Sequence, residues 1–199
     1  MYPGKRILDL AIALPALLLS LPLQAATAIA IRATMGSPVI FKQPRPGMGG
    51  QPFTMYKFRT MRPTDVARGH VDDESKLTKL GQFLRSTSVD ELPALFNVLR
   101  GDMSIVGPRP LLMGYLSLYS TTQARRMEVL PGLTGLAQIN GRNSQTWEER
   151  FSFDVEYVDS CSLKLDLSII ARTALIVLRR DGITADGEAT MPEFRGPAH

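Results

Sequence analysis

Two adjacent carboxylates, Asp90 and Glu91, are the residues of this chain best suited to do chemistry. They lie where a polar stretch meets an apolar one, in the segment STSVDELPALFNVL of residues 86–99. The following apolar residues recur at helical spacing, and Pro93 fits only a first turn. A helix is therefore predicted to begin close to the pair and to end at Gly101. The N–H groups and dipole at a helix start favour an ionised carboxylate, which is suited to attack phosphorus or carbon.

A structural role is the alternative for the same pair. Aspartate is a preferred N-cap residue, and Ser88-x-x-Glu91 matches a capping box, in which the two side chains bond the first backbone N–H groups of a helix. In that interpretation the pair only starts the helix. The two interpretations predict different surroundings for the acidic pair, because a phosphate site needs nearby cations and a helix cap does not.

Five basic residues lie in turns or at the ends of predicted elements, where their side chains could converge on the pair. They are Lys57, Arg59, Arg85, Arg109 and Arg142. Lys57 and Arg59 alternate in a β-prone run and so share one face of a strand, although such charges are also common on solvated faces. Prolines on both sides of Arg109 restrict the backbone that carries its guanidinium. Such a set suits a diphosphate substrate, since cations neutralise phosphate oxygens while a carboxylate attacks in line.

The composition narrows the chemistry further. The 199 residues carry a formal net charge of +4, which favours anionic partners. One cysteine and two histidines argue against disulfides, cysteine-rich metal sites and histidine acid–base chemistry, and no P-loop or dinucleotide-binding fingerprint is present. Catalysis would therefore use carboxylates and cations. Mg²⁺ is the expected cofactor, because it prefers carboxylate, water and phosphate oxygens.

The N-terminal segment predicts a membrane helix. Residues 10–31 carry no charged side chain and would extend roughly 33 Å as a helix, enough to cross a bilayer. Pro22, near the middle, is predicted to bend it. Lys5 and Arg6 precede the segment and Arg32 follows it, so the positive-inside tendency places both flanks in the cytoplasm. We therefore predict a re-entrant helix that enters and leaves by the same face, with a spanning helix as the alternative.

The remaining sequence predicts a small, mostly helical α+β domain. Runs at residues 39–42 and 53–58 flank a Pro/Gly-rich turn, which predicts a β-hairpin. Residues 111–129 follow a helical pattern. Residues 165–180 do so as well, but they are too few to span a membrane comfortably, so a buried or interfacial helix is expected there.

Two shorter patterns follow the helix that is predicted to end at Gly101. Arg125 and Arg126 predict a basic surface that could face anionic lipid. Thr146-x-x-Glu149 is a capping box and predicts the start of another helix.

Several motifs together resemble a known family. In chain order they are the apolar N-terminal segment with Pro22, KFRTM (57–61), the stretch from Arg85 to Leu99 with Asp90-Glu91, GDMSIVGPRP (101–110) and PGLTGLAQINGR (131–142). They resemble the bacterial sugar transferases and, more narrowly, the small monotopic phosphoglycosyl transferases. With its tail GITADGEAT, the chain looks most like the bacillosamine-type enzymes of protein N-glycosylation. Members of the family often have Ser-Pro at the bend, whereas here Pro22 follows Leu21 and the serine, Ser20, lies one residue earlier.

The resemblance implies an architecture and a reaction. Residues 1–34 would form a re-entrant membrane helix, and residues 35–199 a compact cytosolic catalytic domain with a small hairpin and amphipathic interfacial helices. The enzyme would transfer a sugar 1-phosphate from a UDP-sugar to undecaprenyl phosphate and release UMP. It would work at the cytoplasmic face of the bacterial inner membrane, among membrane lipids and without nucleic acid.

The resemblance also implies roles for the residues singled out above. Asp90 would be the nucleophile that forms a covalent aspartyl–phosphosugar intermediate, and Glu91 would be its partner, both near Mg²⁺. Arg109 would hold a phosphate. The site would also be lined by Lys57, Arg59, Arg85 and Arg142.

Two other functions are compatible with the residues alone. A membrane-anchored basic adaptor would bind anionic lipid or nucleic acid, with the acidic pair acting only as a cap. A phosphatase would use an aspartyl phosphate, although the DxD pattern of one large family of that type is missing around Asp90. The adaptor predicts that Asp90→Asn leaves function intact, whereas the transferase predicts its loss.

Overall fold

The computed structural model describes residues 2–65, 73–141, 145–179 and 193–196, which are mostly helical with two small sheets. The α-helices in these residues are α1 (Lys5–Met35), α2 (Asp73–Lys76), α3 (Lys79–Ser86), α4 (Leu95–Arg100), α5 (Thr121–Ala124), α6 (Leu136–Ile139), α7 (Trp147–Ser160) and α8 (Leu163–Arg179). The strands are β1 (Ile40–Pro46), β2 (Pro52–Phe58), β3 (Ser104–Val106) and β4 (Gly132–Thr134). Short 3₁₀ helices form at Met48–Gly50, Val89–Ala94, Met113–Leu118 and Arg125–Glu128.

The first sheet is the predicted hairpin. β1 and β2 pair antiparallel, with Ile40 opposite Phe58 and Pro46 opposite Pro52. Each strand is an edge strand, so β1 tolerates prolines that lack a backbone donor. Lys57 is next to last in β2, and this hairpin therefore sets its position.

The second sheet leads to the turn that carries Arg109. β3 and β4 pair in parallel, with Ser104 opposite Gly132 and Val106 opposite Thr134. A Cβ added at Gly132 would lie 2.1 Å from the backbone nitrogen of Gly107, so only glycine allows this close approach. The turn after β3 is thus packed directly against the start of β4.

The main core lies between α1, α4, the β3–β4 pair, α7 and α8. Its fully buried members include Ala13, Val98, Met103, Val106 and Ile169. A second cluster, which we call the aromatic cluster, contains Tyr115, Tyr119, Trp147, Phe151 and Phe194. It packs α7 against the irregular segment that follows the Arg109 turn.

Helix α1 is continuous from Lys5 to Met35 through both of its prolines. It is long and apolar enough to cross a membrane: its most apolar 18-residue window has a mean hydropathy of 1.9, and 11% of that window is buried. Near Pro22, the Ser20 hydroxyl donates to the Leu17 carbonyl at 3.0 Å, so a hydroxyl does bond the backbone there. A bend at Pro22 stays a prediction.

Both ends of α1 are attached to the rest of the chain. At its start, the carboxylate of Asp9 accepts hydrogen bonds from the Ser104 hydroxyl at 2.8 Å and the Ile105 N–H at 2.9 Å. At its end, Ile31 packs with Phe58 and Leu84. Large apolar side chains between the two ends are exposed: Leu14, Leu18, Leu19, Leu21 and Leu23.

The basic residues before the apolar segment are also engaged. Lys5 is 3% exposed and bonds Asp166 of α8, while Arg6 donates to the carbonyl oxygens of Val98 and Leu99 at the end of α4. These two cations hold α1 to the folded chain.

The helix predicted over residues 111–129 is wrong. The chain forms two 3₁₀ helices and the short α5 instead. Tyr115 and Tyr119 pack into the aromatic cluster, where the ring of Tyr115 lies 5.5 Å from that of Phe194. This tertiary packing overrides the local helical pattern.

Later helices agree better with the sequence. The Thr146–Glu149 capping box is present at the start of α7. α8 covers the predicted apolar stretch and leaves Leu163, Leu167 and Leu175 exposed. The tail GITADGEAT lies outside the described residues.

Candidate active site

The acidic pair lies in the 3₁₀ helix Val89–Ala94, just before α4, rather than in the first turn of an α-helix. Ser88, which precedes it, has a φ of 56° and its side chain makes no capping hydrogen bond. A left-handed conformation is uncommon for serine and costs free energy, of order 1–3 kcal/mol. The capping-box interpretation is therefore wrong, while the predicted helix end at Gly101 is confirmed, with a φ of 89°.

Glu91 is held by two cations. Its Oε1 accepts hydrogen bonds from Lys57 Nζ at 2.7 Å and Arg109 Nη2 at 2.5 Å. Burial alone would raise the pKa of Glu91, but the charges of Arg109 and Lys57 hold that pKa well below its usual value. Both donors use the same oxygen, and within the described residues Oε2 has no hydrogen-bond donor. Glu91 is therefore a fixed, permanently ionised carboxylate with one open oxygen.

Asp90 is in the opposite situation. It is 8% exposed, and in the described part of the chain its carboxylate forms no hydrogen bond and no ion pair. Burial and the neighbouring charge of Glu91 raise the pKa of Asp90 to about 6, although Lys57, Arg109 and Arg85 act in the opposite direction. The sequence predicted that a helix start would keep this group ionised. With a pKa of about 6 it is ionised at neutral pH, but its burial raises the pKa, whereas a helix start would lower it.

Asn97 brings the strand with Lys57 to the acidic pair. Its side chain is fully buried in α4, donates to the Thr54 carbonyl at 2.8 Å and accepts from the Tyr56 N–H at 3.1 Å. These bonds fix β2 against α4, so Lys57, the next residue, reaches Glu91. Sequence reasoning missed this role; the signal was a polar amide within an otherwise apolar helical run.

The other predicted cations divide between two places. Arg85, at the end of α3, donates through Nε to the Thr60 hydroxyl at 3.1 Å, and its charge acts on Asp90. Arg59 lies beyond the end of β2. Its guanidinium donates to the carbonyl oxygens of Met35, Gly36 and Ser37, at the end of α1. The structure thus brings Lys57, Arg85 and Arg109 to the acidic pair and places Arg59 at the helix end, while Arg142 lies outside the described residues.

Two arginines that the sequence analysis did not assign to the site lie near Arg109. Burial and the charge of Arg109 lower the pKa of Arg45 in β1 and also that of Arg150 in α7. Arg45 lies between Pro44 and Pro46, so the Pro-Arg-Pro pattern that drew attention to Arg109 occurs a second time. That repetition was the available signal.

The donor atoms here fit Mg²⁺. No group of three His, Cys, Asp or Glu side chains in the described residues is arranged to hold a metal ion. Asp90 and the open Oε2 of Glu91 nevertheless belong to consecutive residues and are oxygen donors of the type that Mg²⁺ prefers. Mg²⁺ is usually bound by one or two carboxylates, with water and substrate phosphates completing its coordination, so the chemistry of this pair fits the ion.

Comparison with known proteins identifies the family of this chain. Residues 2–180 match the profile of the bacterial sugar transferase family. An uncharacterized sugar transferase, EpsL of Bacillus subtilis (strain 168), is 51% identical over 193 residues, which cover 96% of each chain. A UDP-glucose:undecaprenyl-phosphate glucose-1-phosphate transferase of Caulobacter vibrioides is 41% identical over 189 residues, which cover 89% of this chain and 70% of that protein.

A shorter match extends the comparison. The undecaprenyl-phosphate galactose phosphotransferase of Salmonella typhimurium is 41% identical over 165 residues, which cover 74% of this chain and 35% of that protein. A non-catalytic adaptor does not account for these similarities. The chain is a transferase and belongs to the bacterial sugar transferase family.

Proposed function

We propose that this transferase moves a sugar 1-phosphate from a UDP-sugar to undecaprenyl phosphate and releases UMP. The observation that carries the proposal is the difference between the two carboxylates. Glu91 is neutralised by Lys57 and Arg109, whereas the buried Asp90 has no partner in the described chain and ionises just below neutral pH. An unpartnered carboxylate between cations is suited to attack a phosphorus atom whose oxygens those cations hold.

In the first step, an oxygen of Asp90 forms a bond to the phosphorus that carries the sugar. The bond from that phosphorus to the bridging oxygen breaks, and UMP leaves with the bonding electrons. Arg109 and Lys57 stabilise the charge on the phosphate oxygens, and Glu91 fixes the positions of both cations. When bound at Asp90 and Glu91, Mg²⁺ would neutralise further phosphate charge.

In the second step, a phosphate oxygen of undecaprenyl phosphate forms a bond to the same phosphorus. The bond between phosphorus and Asp90 breaks, and the free carboxylate is restored. The product is a polyprenol diphosphate sugar. The two steps balance without any oxidant, reductant or net proton transfer at the carboxylate.

The attachment of α1 supports a re-entrant placement in the membrane. Its start is bonded to α8, β3 and α4 through Lys5, Arg6 and Asp9, and Arg59 beyond β2 bonds the carbonyl groups at its end. Both ends thus contact the same folded part of the chain, which a spanning helix would place on opposite sides of the bilayer. The exposed leucines in the middle of α1 would enter the lipid from the cytoplasmic face, and α8 would lie at the interface.

The decisive experiment traps the covalent intermediate. Wild-type protein incubated with a UDP-sugar and Mg²⁺, but without lipid, should gain one sugar phosphate on the peptide that contains Asp90, as read by mass spectrometry. In Asp90→Asn the adduct should be absent, and UMP release should fall by about 10³-fold or more, because the nucleophile is lost. Asp159→Asn, at a side chain that is 55% exposed, is the matched control.

Two outcomes would contradict the proposal: an adduct on another residue, or full turnover by Asp90→Asn. A panel of UDP-glucose, UDP-galactose and UDP-diacetylbacillosamine in the same assay would identify the sugar. The relatives described above have names that refer to glucose or galactose, whereas the motifs resemble bacillosamine-type enzymes.

The membrane placement has its own test. Pro3 and Ala33 are exposed near the two ends of α1, so each is replaced by cysteine in a Cys161→Ala background. A membrane-impermeant thiol reagent should label neither cysteine in intact spheroplasts and both after permeabilisation. Labelling of one end only in intact spheroplasts would show a spanning helix.

A further inference from the structure

A buried ion pair lies behind the Pro108-Arg109-Pro110 turn and takes no part in the reaction proposed above. Arg126 and Asp154 are 4% and 2% exposed, and Arg126 Nε donates to Asp154 Oδ2 at 2.9 Å. The guanidinium also lies 5.6 Å from the ring centres of Tyr119 and Phe151. The prediction that Arg126 contributes to a basic surface is therefore wrong, because its charge is enclosed by the aromatic cluster.

The same guanidinium makes one bond that leads to the active site. Arg126 Nη2 donates to the backbone carbonyl oxygen of Arg109 at 2.7 Å. The Arg109 side chain in turn donates to Glu91 Oε1 at 2.5 Å. A continuous series of short contacts thus runs from Asp154 in α7 through Arg126 and Arg109 to the acidic pair.

The turn needs this support because its prolines have no backbone N–H group. The carbonyl of Pro108 accepts a hydrogen bond from the Gly132 N–H at 2.9 Å, and that of Arg109 accepts from Arg126. A buried ion pair often adds little net stability compared with apolar residues of similar size. What an apolar pair could not supply at this position is the donor to the Arg109 carbonyl.

We propose that Arg126, oriented by Asp154, is a positioning residue that fixes Arg109 for phosphate binding. The proposal rests on the proposed function, in which Arg109 is a ligand of the substrate phosphates. Arg126 itself contacts neither Glu91 nor Asp90 in the structure, so it acts through Arg109.

The neighbouring residue provides a matched control. Arg125 lies in the same 3₁₀ helix, but its side chain is 39% exposed and pairs with Asp159 at 2.5 Å and Glu128 at 3.1 Å. Both arginines thus bond an aspartate of α7, and only Arg126 bonds Arg109. The same arginine-to-lysine substitution at position 125 should leave phosphate binding unchanged.

The test compares two variants of the full chain with this control. Arg126→Lys keeps a cation opposite Asp154, but its single amine cannot reach Asp154, Tyr119 and the Arg109 carbonyl together. The double variant Arg126→Met with Asp154→Leu removes both buried charges without leaving one unpaired. Arg125→Lys is the control, and calorimetry measures UDP and uridine affinity for each purified protein.

We expect UDP affinity and kcat/KM to fall by about 10- to 100-fold in both Arg126 variants, because a displaced cation no longer meets the phosphates. Uridine, which has no phosphate, should bind as in the wild type, and Arg125→Lys should bind both ligands normally. In an Arg109→Ala background, Arg126→Lys should cause no further loss. Normal UDP affinity in the folded double variant, or an equal loss of uridine affinity, would overturn the proposal.

A second measurement separates this inference from the proposed function. If Arg109→Ala itself leaves UDP affinity unchanged, the phosphate role of Arg109 has failed, and the mobility of its side chain decides the positioning role. Nitrogen-15 NMR of arginine side chains should show restricted rotation of the Arg109 guanidinium in the wild type and in Arg125→Lys. Faster rotation in Arg126→Lys supports the positioning role; unchanged rotation overturns it.

Discussion

Two buried aspartates of this chain, Asp166 and Asp90, lie in opposite electrostatic settings. In the core, Asp166 is fully buried and both of its oxygens are bonded: Lys5 Nζ donates to Oδ2 at 2.7 Å and the Tyr157 hydroxyl to Oδ1 at 2.8 Å. At the active site, Asp90 is almost as buried and has no such donor in the described residues. The fold supplies hydrogen-bond donors to the carboxylate of Asp166, whereas the carboxylate of Asp90 is available to a ligand.

The comparison separates a structural charge from a reactive one. Burial of a carboxylate costs free energy unless donors compensate it. At Asp166 the fold supplies that compensation, and the network joins α1, α8 and the Val106 carbonyl that precedes the Arg109 turn. At Asp90 no donor in the described residues compensates this free-energy cost. A bound substrate, with the cations that accompany its phosphates, would reduce it.

The substitution expected to cost the most stability removes the carboxylate of Asp166. Asp166→Ala leaves Lys5 buried without its counter-ion, so we expect the protein to lose about 3–5 kcal/mol of unfolding free energy. Chemical denaturation in detergent micelles measures this loss. Leu167→Ala, one residue along α8 at an exposed side chain, is the control and should change the unfolding free energy far less. A wild-type denaturation midpoint for Asp166→Ala would show that the bonds of Asp166 do not stabilise the fold.

Replacement of Asp90 should raise the free energy of unfolding, in contrast to replacement of Asp166. Because the pKa of Asp90 is raised from 3.8 to about 6, the ionised group destabilises the fold above pH 6. Asp90→Asn removes this cost, so at pH 8 the variant should be more stable than the wild type by as much as about 3 kcal/mol. The gain should shrink as the pH falls from 6 to 4, where the wild-type carboxyl becomes protonated in the folded state.

Denaturation of the wild type and Asp90→Asn at pH 8, 6 and 4 measures this gain. A variant that is inactive and more stable would show that Asp90 is kept for chemistry at the expense of the fold. A variant less stable than the wild type at pH 8 would show instead that the carboxylate has a stabilising partner.

How much of the fold and the active site could be predicted from the sequence depends on how far apart in the chain the interacting residues lie. Local patterns predicted the hairpin, the end of α4 at Gly101 and the capping box at Thr146, because each depends on a few neighbouring residues. The sequence also grouped Asp90 and Glu91 with five cations. The structure brings Lys57, Arg85 and Arg109 to the pair, whereas it places Arg59 at the end of α1, and Arg142 lies outside the described residues.

Contacts between distant segments were not predictable in this way. Arg59 alternates with Lys57, but it bonds the carbonyl groups at the end of α1, more than twenty residues earlier. Arg126 follows Arg125 in the sequence and yet is buried, because Asp154 lies opposite it in α7. Residue type and spacing do not show whether each of these arginines faces the active site, solvent or another part of the fold. Only the packing of the elements decides that.

The pH dependence of activity tests the ionisation of Asp90 directly. If ionised Asp90 is the nucleophile, kcat/KM should rise with pH along a limb centred near pH 6 and should be about tenfold below its plateau at pH 5. Glu91 should not contribute to this limb, since its cations hold its pKa far lower.

Replacing Lys57 by methionine removes one of the charges that lower the pKa of Asp90, so the limb should move to higher pH. An Arg125→Met variant, which loses a cation remote from the pair, should keep the wild-type limb. A limb that moves equally in both variants would mean that overall charge, rather than the cation beside Glu91, sets the ionisation of Asp90.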